Sequence, residues 1–277
     1  MHEILDNLHQ LPAIPAVVQE LIQNFDNPAL DSQHLAQKIS QDQALVAKVL
    51  RVANSAFYGL PRQVGSTQEA VVVLGFGTVR SLVLSAGFID AFSASTAAAC
   101  VDREHYWQRS LVVATYARAV AKCLRQDPET AFSAGLLHNI GIMVLDLCAH
   151  ERFAVVWQNA QNSDGDKLIQ AERATFGFDH AELGAEVAHR WKFPAAIEDA
   201  IRYHYQPGHQ PFQILTGVVQ VARVLALSSE EGLPEDKWFA RIPQVLRDAL
   251  KLEGGKLHKC LPLPEQLEAA KKLVTDS

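Results

Sequence analysis

At 277 residues the chain is long enough to bury a substantial core, as one domain or two. Hydrophobic residues at 48% and charged residues at 20% place it with ordinary globular proteins. A formal charge of -6, from 25 Lys plus Arg against 31 Asp plus Glu, excludes a basic nucleic-acid footprint.

The N-terminus lacks a basic region followed by an apolar run, so no secretory signal is expected. Cys100, Cys123, Cys148 and Cys260 are not paired at C-x-x-C spacing and read as reduced core thiols of a cytoplasmic protein, not disulfides or zinc ligands. A first helix starts at Pro15, burying Val17, Val18, Leu21, Ile22 and Phe25, and Asn27-Pro28 stops it. Asp31 or Ser32 caps a second helix carrying Leu35, Ala36 and Ile39. Ser40 with Gln43 makes a capping box for a third, with Leu45, Val46, Val49, Leu50 and Ala53 on its apolar side. Ser66 and Glu69 make another ahead of Val71 to Leu74, and Gly75 suits an αL residue past that helix's end. Thr78 to Phe88 resumes an apolar helix. Leu74-Gly75-Phe76-Gly77 has the look of a DNA-gripping hairpin, but with Arg80 as the nearby cation it reads as a plain turn.

The linker Ser93 to Ala99 separates this part from the rest. Asp102 caps a long helix with Tyr106, Ser110, Val113, Ala117, Val120, Ala121 and Leu124 inward. Asp127-Pro128-Glu129 opens the next, which runs into Ala134-Gly-Leu-Leu-His138-Asn139-Ile-Gly141. The uncharged run Thr130 to Leu145 is shorter than the roughly 20 residues a membrane span needs. Helices follow at about Lys167 to Phe176, Asp179 to Trp191 and Pro194 to Tyr205. Phe212 to Leu227, apolar nearly all round, reads as the central core helix. Gly254-Gly255 precedes a C-terminal helix starting near Pro264. The period of 3.6 recurs and the period of 2 hardly appears, so the fold class is all-α.

Position on the helices picks out the chemistry. His204 shares a face with Ile197, Ala200 and Ile201, His180 with Gly184, Val187 and Trp191, and Arg109 stands between Tyr106 and Val113. His138, His180, His204 and Arg109 thus project inward from different helices. They are either satisfied core residues or parts of one pocket.

Ala-Gly-Leu-Leu-His138-Asn139-Ile-Gly resembles the His-Asp signature of HD-superfamily phosphohydrolases. The flanking pieces resemble its HDOD branch. They are Leu11-Pro-Ala-Ile-Pro15, Gln41-Asp-Gln-Ala-Leu45, Leu50-Arg-Val-Ala-Asn54-Ser55-Ala-Phe-Tyr58 and Ala70-Val-Val-Val-Leu74-Gly75, then Trp107-Gln-Arg-Ser110, Phe176-Gly-Phe-Asp-His180-Ala-Glu-Leu-Gly184, Trp191-Lys-Phe-Pro194 and Ala200-Ile-Arg-Tyr-His204. They follow in family order from about residue 8 to 227. The resemblance implies an N-terminal helical subdomain over residues 1–95, an HD-like helical core over 96–232 and a C-terminal helical extension over 233–277.

In catalytic HD enzymes the resemblance implies a divalent metal held by histidines and aspartates, activating water against a phosphoester. Here His138, His180 and His204 fall on histidine-ligand positions, but Asn139 stands where the bridging Asp belongs. Arg109 replaces the first histidine, Tyr205 the second residue of the His-His pair, Arg223 the last aspartate and Ile142 the signature lysine. Without carboxylates and with two guanidiniums, no metal or other cofactor is expected; a zinc ion, if any, would be held by the three histidines. Arg109 calls for an acidic or carbonyl partner, or else joins Arg223 in binding a small anion such as a nucleotide phosphate. The expected function is a non-catalytic bacterial regulatory module that contacts other signalling proteins, with neither nucleic acid nor membrane as partner. The competing class is a metal-dependent phosphohydrolase of nucleotides or cyclic dinucleotides.

Overall fold

In the computed structural model, residues 1–7, 11–25, 27, 32–55, 57–94, 98–160 and 165–275 are described, and they form helices and turns without a strand. The N-terminal part contains α1 (His2–Asp6), α2 (Ala16–Gln23), α3 (Ser32–Ile39), α4 (Gln43–Ala53), α5 (Thr67–Leu74) and α6 (Phe76–Ser93). Next come α7 (Arg103–Cys123), α8 (Pro128–Leu137), α9 (Ile140–Cys148), α10 (His150–Ala160), α11 (Gly165–Phe176), α12 (His180–Arg190), α13 (Ala195–Tyr203) and α14 (Ile214–Glu230). Four short helices finish the chain: α15 (Glu235–Arg241), α16 (Gln244–Ala249), α17 (Gly254–Cys260) and α18 (Pro264–Thr275). The all-α reading is what the molecule shows.

Most of the capping chemistry follows the sequence. Asp102, Asp127 and Asp179 accept backbone N–H groups of His105, Glu129 and Glu182, and Ser66 accepts that of Glu69. The cap expected at Ser40 is corrected. Asp42 caps α4 by accepting from Leu45 N–H at 3.1 Å, while the Ser40 hydroxyl donates back to the Ala36 carbonyl at 2.7 Å. A side chain in the last turn of one helix meets that helix's own carbonyls before it meets the next helix. Of the two caps expected for α3, Asp31 and the side chain of Ser32 lie outside the described residues.

Gly75 also differs from its expected αL geometry. It joins α5 to α6 at φ 86° and ψ 155°, a region open to glycine and closed to side chains. Arg80 beside that turn is buried, donating to the Phe25 carbonyl at 2.7 Å with its guanidinium 3.9 Å over the Phe25 ring. It faces the core and not a phosphate.

The helix nearest the centre is α7, not α14 as expected. From Ser110 to Ala121 every residue of α7 is buried. Trp107, Leu111 and Ala114 belong to a core that runs from Ile4 through Phe88, Phe132 and Leu183 to Val274. Its opposite face, with Val113, Tyr116 and Val120, packs on Val218, Ala222 and Leu225 of α14 and on Trp238, Leu246 and Leu257. Helix α14 leaves Ile214 and Leu227 exposed at its two ends. Pro234 and Pro243 open α15 and α16, and Gly254-Gly255 lie inside α17; these three helices fall within the expected helical extension, without a sequence period to place each one.

Pro128–Cys148 is the stretch among the described residues long and apolar enough to cross a membrane, and 89% of its most apolar window is buried in the protein. It is two helices, because Asn139 at φ −106° and ψ 15° breaks the run between α8 and α9. Both glycines flanking the break are contact residues. A Cβ on Gly135 would sit 2.8 Å from the Ala114 Cα, and one on Gly141 only 1.9 Å from the His180 carbonyl oxygen. Gly184 completes that crossing, its own added Cβ 3.1 Å from the Gly141 nitrogen.

Gly141→Ala forces α9 and α12 apart, costing at least about 3 kcal/mol. Thermal unfolding should shift down by roughly 5–10 °C; an unchanged midpoint would show that the crossing yields freely.

Candidate functional site: a histidine pocket without carboxylate ligands

Four helix ends converge beneath this crossing. His138 and Asn139 occupy the α8–α9 break, His180 opens α12, His204 follows the last turn of α13, and Arg223 reaches in from α14. His138, His180 and His204 are all buried. The His138 and His204 ring centroids lie 5.2 Å apart, and those of His180 and His204 6.0 Å.

Each imidazole is oriented through Nδ1. His138 Nδ1–H donates to the Gly135 carbonyl at 2.7 Å, and His204 Nδ1–H to the Ile201 carbonyl at 2.6 Å. A carbonyl only accepts, so the proton sits on Nδ1 in both rings. Burial, followed by the positive charge of Arg223, holds both pKa values well below the usual histidine range. Both rings are therefore neutral and carry bare Nε2 lone pairs. The side-chain amide of Asn139 stands 2.9 Å from His204 Nε2. The amide oxygen and nitrogen are interchangeable by a flip of the side chain, and because Nδ1–H is committed to the Ile201 carbonyl, a hydrogen bond to the neutral ring requires the Asn139 NH2, not Oδ1, to face Nε2. A carboxylate could not make this bond to a neutral ring. Asn139 thus caps the lone pair that a metal would need, and its side chain takes no part in capping α9.

His180 differs. Glu172, fully buried on α11, accepts both the backbone N–H of His180 at 2.9 Å and its Nδ1–H at 2.6 Å through one oxygen. His180 Nε2 and Glu172 Oε1 are buried without a hydrogen-bond partner among the described residues. Sequence reasoning missed Glu172. Its signal was present: it continues the inward spacing of Leu168 and Ile169, where a carboxylate needs a reason to be.

Of the two arginines, Arg223 lies at the pocket and Arg109 does not. Arg109 is a correction: its side chain is 49% exposed and pairs with Glu230 on α14 at 3.5 Å. The inward face of α7 at this level is Tyr106, Trp107 and Ser110, which leaves residue 109 at the margin of the stripe. Its charge still reaches the pocket, where it helps depress His138. Arg223 is a local device for α13. It donates to the His204 carbonyl at 2.9 Å, as Gln220 does to the Tyr203 carbonyl at 2.7 Å, so two free carbonyls at a helix C-terminus gain donors and a positive charge. Its guanidinium lies 3.7 Å over the Tyr205 ring. Tyr205 in turn packs 4.4 Å from the His204 ring and against Gly165, where a Cβ would meet its ring at 2.4 Å.

These donors do not fit a hard divalent metal. Asn139 occupies His204, and Glu172 commits an oxygen to His180.

The sequence profile of the HDOD domain matches residues 11–207. The chain belongs to the HDOD domain family. A candidate phosphohydrolase from Shewanella amazonensis is 28% identical, with a TM-score of 0.82 over 98% of both chains. An HDOD domain protein of unknown function from Geobacter sulfurreducens shares the fold at 24% identity, with a TM-score of 0.73 over 99% of this chain and 91% of its own. An uncharacterized protein from Treponema pallidum is 27% identical over 91% of this chain, which spans about half (48%) of that relative's length.

Two neutral buried histidines make stability depend on pH. Their folded pKa values lie below the unfolded value of 6.5, so the unfolded state takes up protons first. Stability is full above pH 6.5 and falls as the pH drops through the window beneath it. The slope should approach about 2–3 kcal/mol per pH unit between pH 6 and 5. Denaturant titrations should show that slope roughly halved in His204→Gln; a flat profile from pH 7 to 5 would contradict neutral burial.

Proposed function

We propose that this HDOD domain is a non-catalytic regulatory module of bacterial signal transduction, cytoplasmic and acting through contacts with other signalling proteins. The observation that carries this reading is the contact of the Asn139 side-chain amide with His204 Nε2 at 2.9 Å: an amide stands against the lone pair that a metal-dependent hydrolase would give to its ion. Arg223 adds a fixed positive charge on the same side of the pocket, and so supports the same reading. Val72 and Val73, 83% and 42% exposed on α5, offer an apolar surface compatible with a protein partner.

One observation favours the second reading, a metal-dependent phosphohydrolase of nucleotides or cyclic dinucleotides. His180, braced by Glu172 and with a bare buried Nε2, has the carboxylate-backed form of many metal-ligating histidines. The similarity to the Shewanella amazonensis protein is consistent with either reading.

Phosphodiester hydrolysis by the full chain, with Mn2+, Fe2+ or Mg2+ added, separates the two. No turnover above the metal blank is expected, and His138→Ala should change neither that result nor the metal bound per chain. Turnover that disappears in His138→Ala would establish the hydrolase instead.

A further inference from the structure

Away from the histidine pocket, three side chains with different donor atoms meet at one point. Cys100 lies just ahead of α7, Asp146 in the last turn of α9, and His150 at the first position of α10. Asp146 is fully buried. Its Oδ1 accepts the backbone N–H of Cys100 at 2.9 Å and the Cys100 thiol at 3.0 Å, and lies 3.2 Å from His150 Nδ1. The sulfur, nitrogen and carboxylate oxygen all fall within 4.8 Å of one another. The other carboxylate oxygen, Oδ2, is buried without a hydrogen-bond partner among the described residues. Cys100, expected as a reduced core thiol, is free but half-buried, and its partners lie 46 and 50 positions along the chain, beyond any local pattern.

We propose that Cys100, Asp146 and His150 form a site for a borderline-soft divalent cation of the zinc class, with solvent completing the coordination. The donor set selects the ion. Thiolate and imidazole suit zinc, and the harder magnesium and calcium ions prefer oxygen alone. The geometry is close to what zinc needs. Bond lengths of about 2.3 Å to sulfur and 2.0 Å to nitrogen or oxygen place tetrahedral ligands about 3.3–3.6 Å apart. The present separations of 3.0 and 3.2 Å lie a few tenths short of that.

Charge argues the same way. A carboxylate taken out of water needs a cation, and among the described residues the ion-pair partner of Asp146 is the half-exposed His150. A divalent ion would satisfy Asp146 through Oδ1 and leave Oδ2 free for a bidentate grip. The backbone N–H of Cys100 already fixes the carboxylate from outside the ligand set. Cys100 and His150 are each half-buried, which gives the ion access from solvent. Without metal, the Cys100 S–H donates to Asp146 Oδ1 at 3.0 Å. Metal binding breaks the S–H bond, releases that proton to solvent and forms the metal–sulfur bond with the sulfur lone pair. No electron is transferred. Thiolate and carboxylate together balance the two charges of the ion.

Cobalt(II) titration of the full untagged chain tests the site, because a thiolate ligand gives a charge-transfer band that nitrogen and oxygen ligands do not. One equivalent with that band is expected, displaced by one equivalent of Zn2+ and accompanied by release of the thiol proton. Cys100→Ser should abolish the band. Zinc affinity should fall by more than about 100-fold, beyond the 10–100-fold that loss of an outer-shell contact costs. His150→Ala, at a half-exposed position, should weaken zinc binding with helix content unchanged, and so reads the site even if Asp146→Asn fails to fold. His138→Ala should leave both band and affinity intact. A wild type without the band, or a band that survives Cys100→Ser or is lost in His138→Ala, would overturn the assignment.

Discussion

The pocket depends on one close approach, that of the α9 backbone at Gly141 to the His180 carbonyl on α12. Nothing larger than hydrogen fits between them. Their closeness brings His138 and Asn139 to the same depth as His180, with His204 across from both. Backbone-to-backbone packing tolerates little adjustment, because no side chain can change rotamer to absorb a shift. The spacing of the three histidines is therefore a property of the helix crossing, set before any ligand is considered.

Within that frame the polar groups satisfy one another. His138 and His204 are held by carbonyls of the preceding helical turn, His204 by Asn139 as well, and His180 by Glu172. Arg223 ends α13 and covers Tyr205. A metal centre achieves the same cohesion by charge, at the cost of needing anionic ligands. Here the cohesion comes from backbone carbonyls, one amide, one buried carboxylate and one guanidinium. His180 Nε2, Glu172 Oε1 and Gln220 Oε1 remain as exceptions, buried polar atoms without a hydrogen-bond partner among the described residues.

What the sequence disclosed was largely local. The caps at Ser66, Asp102, Asp127 and Asp179 are contained within a few residues, and they emerged where their chemistry placed them. The inward histidines were legible because each lies in register with an apolar stripe. Arg109 shows where that reasoning stops: one position on a helix is 100° of rotation, enough to move a side chain from the core to its margin. Asp42 and Ser40 show the same for caps, since both residue types suit either role and only the helix's actual first turn decides. Glu172 and the partners of Cys100 depend on contacts between separate helices, which no periodicity encodes. Helices α15 to α17 were too short to build up a period at all.

The ending of α13 joins two spans of the chain with different histories of comparison. The HDOD profile closes at residue 207, yet the side chains that finish α13, Gln220 and Arg223, come from α14 beyond it. So does the surface that covers Val113, Tyr116 and Val120 on α7. The stretch by which the family is recognised is therefore smaller than the piece of chain that must fold together. Two proteins could share every motif of the recognised stretch and still differ in the sign of charge beside His204, since a single residue of the adjoining helix sets it. Kinship in this family is read from one segment, and the electrostatic character of the pocket is partly written in the next.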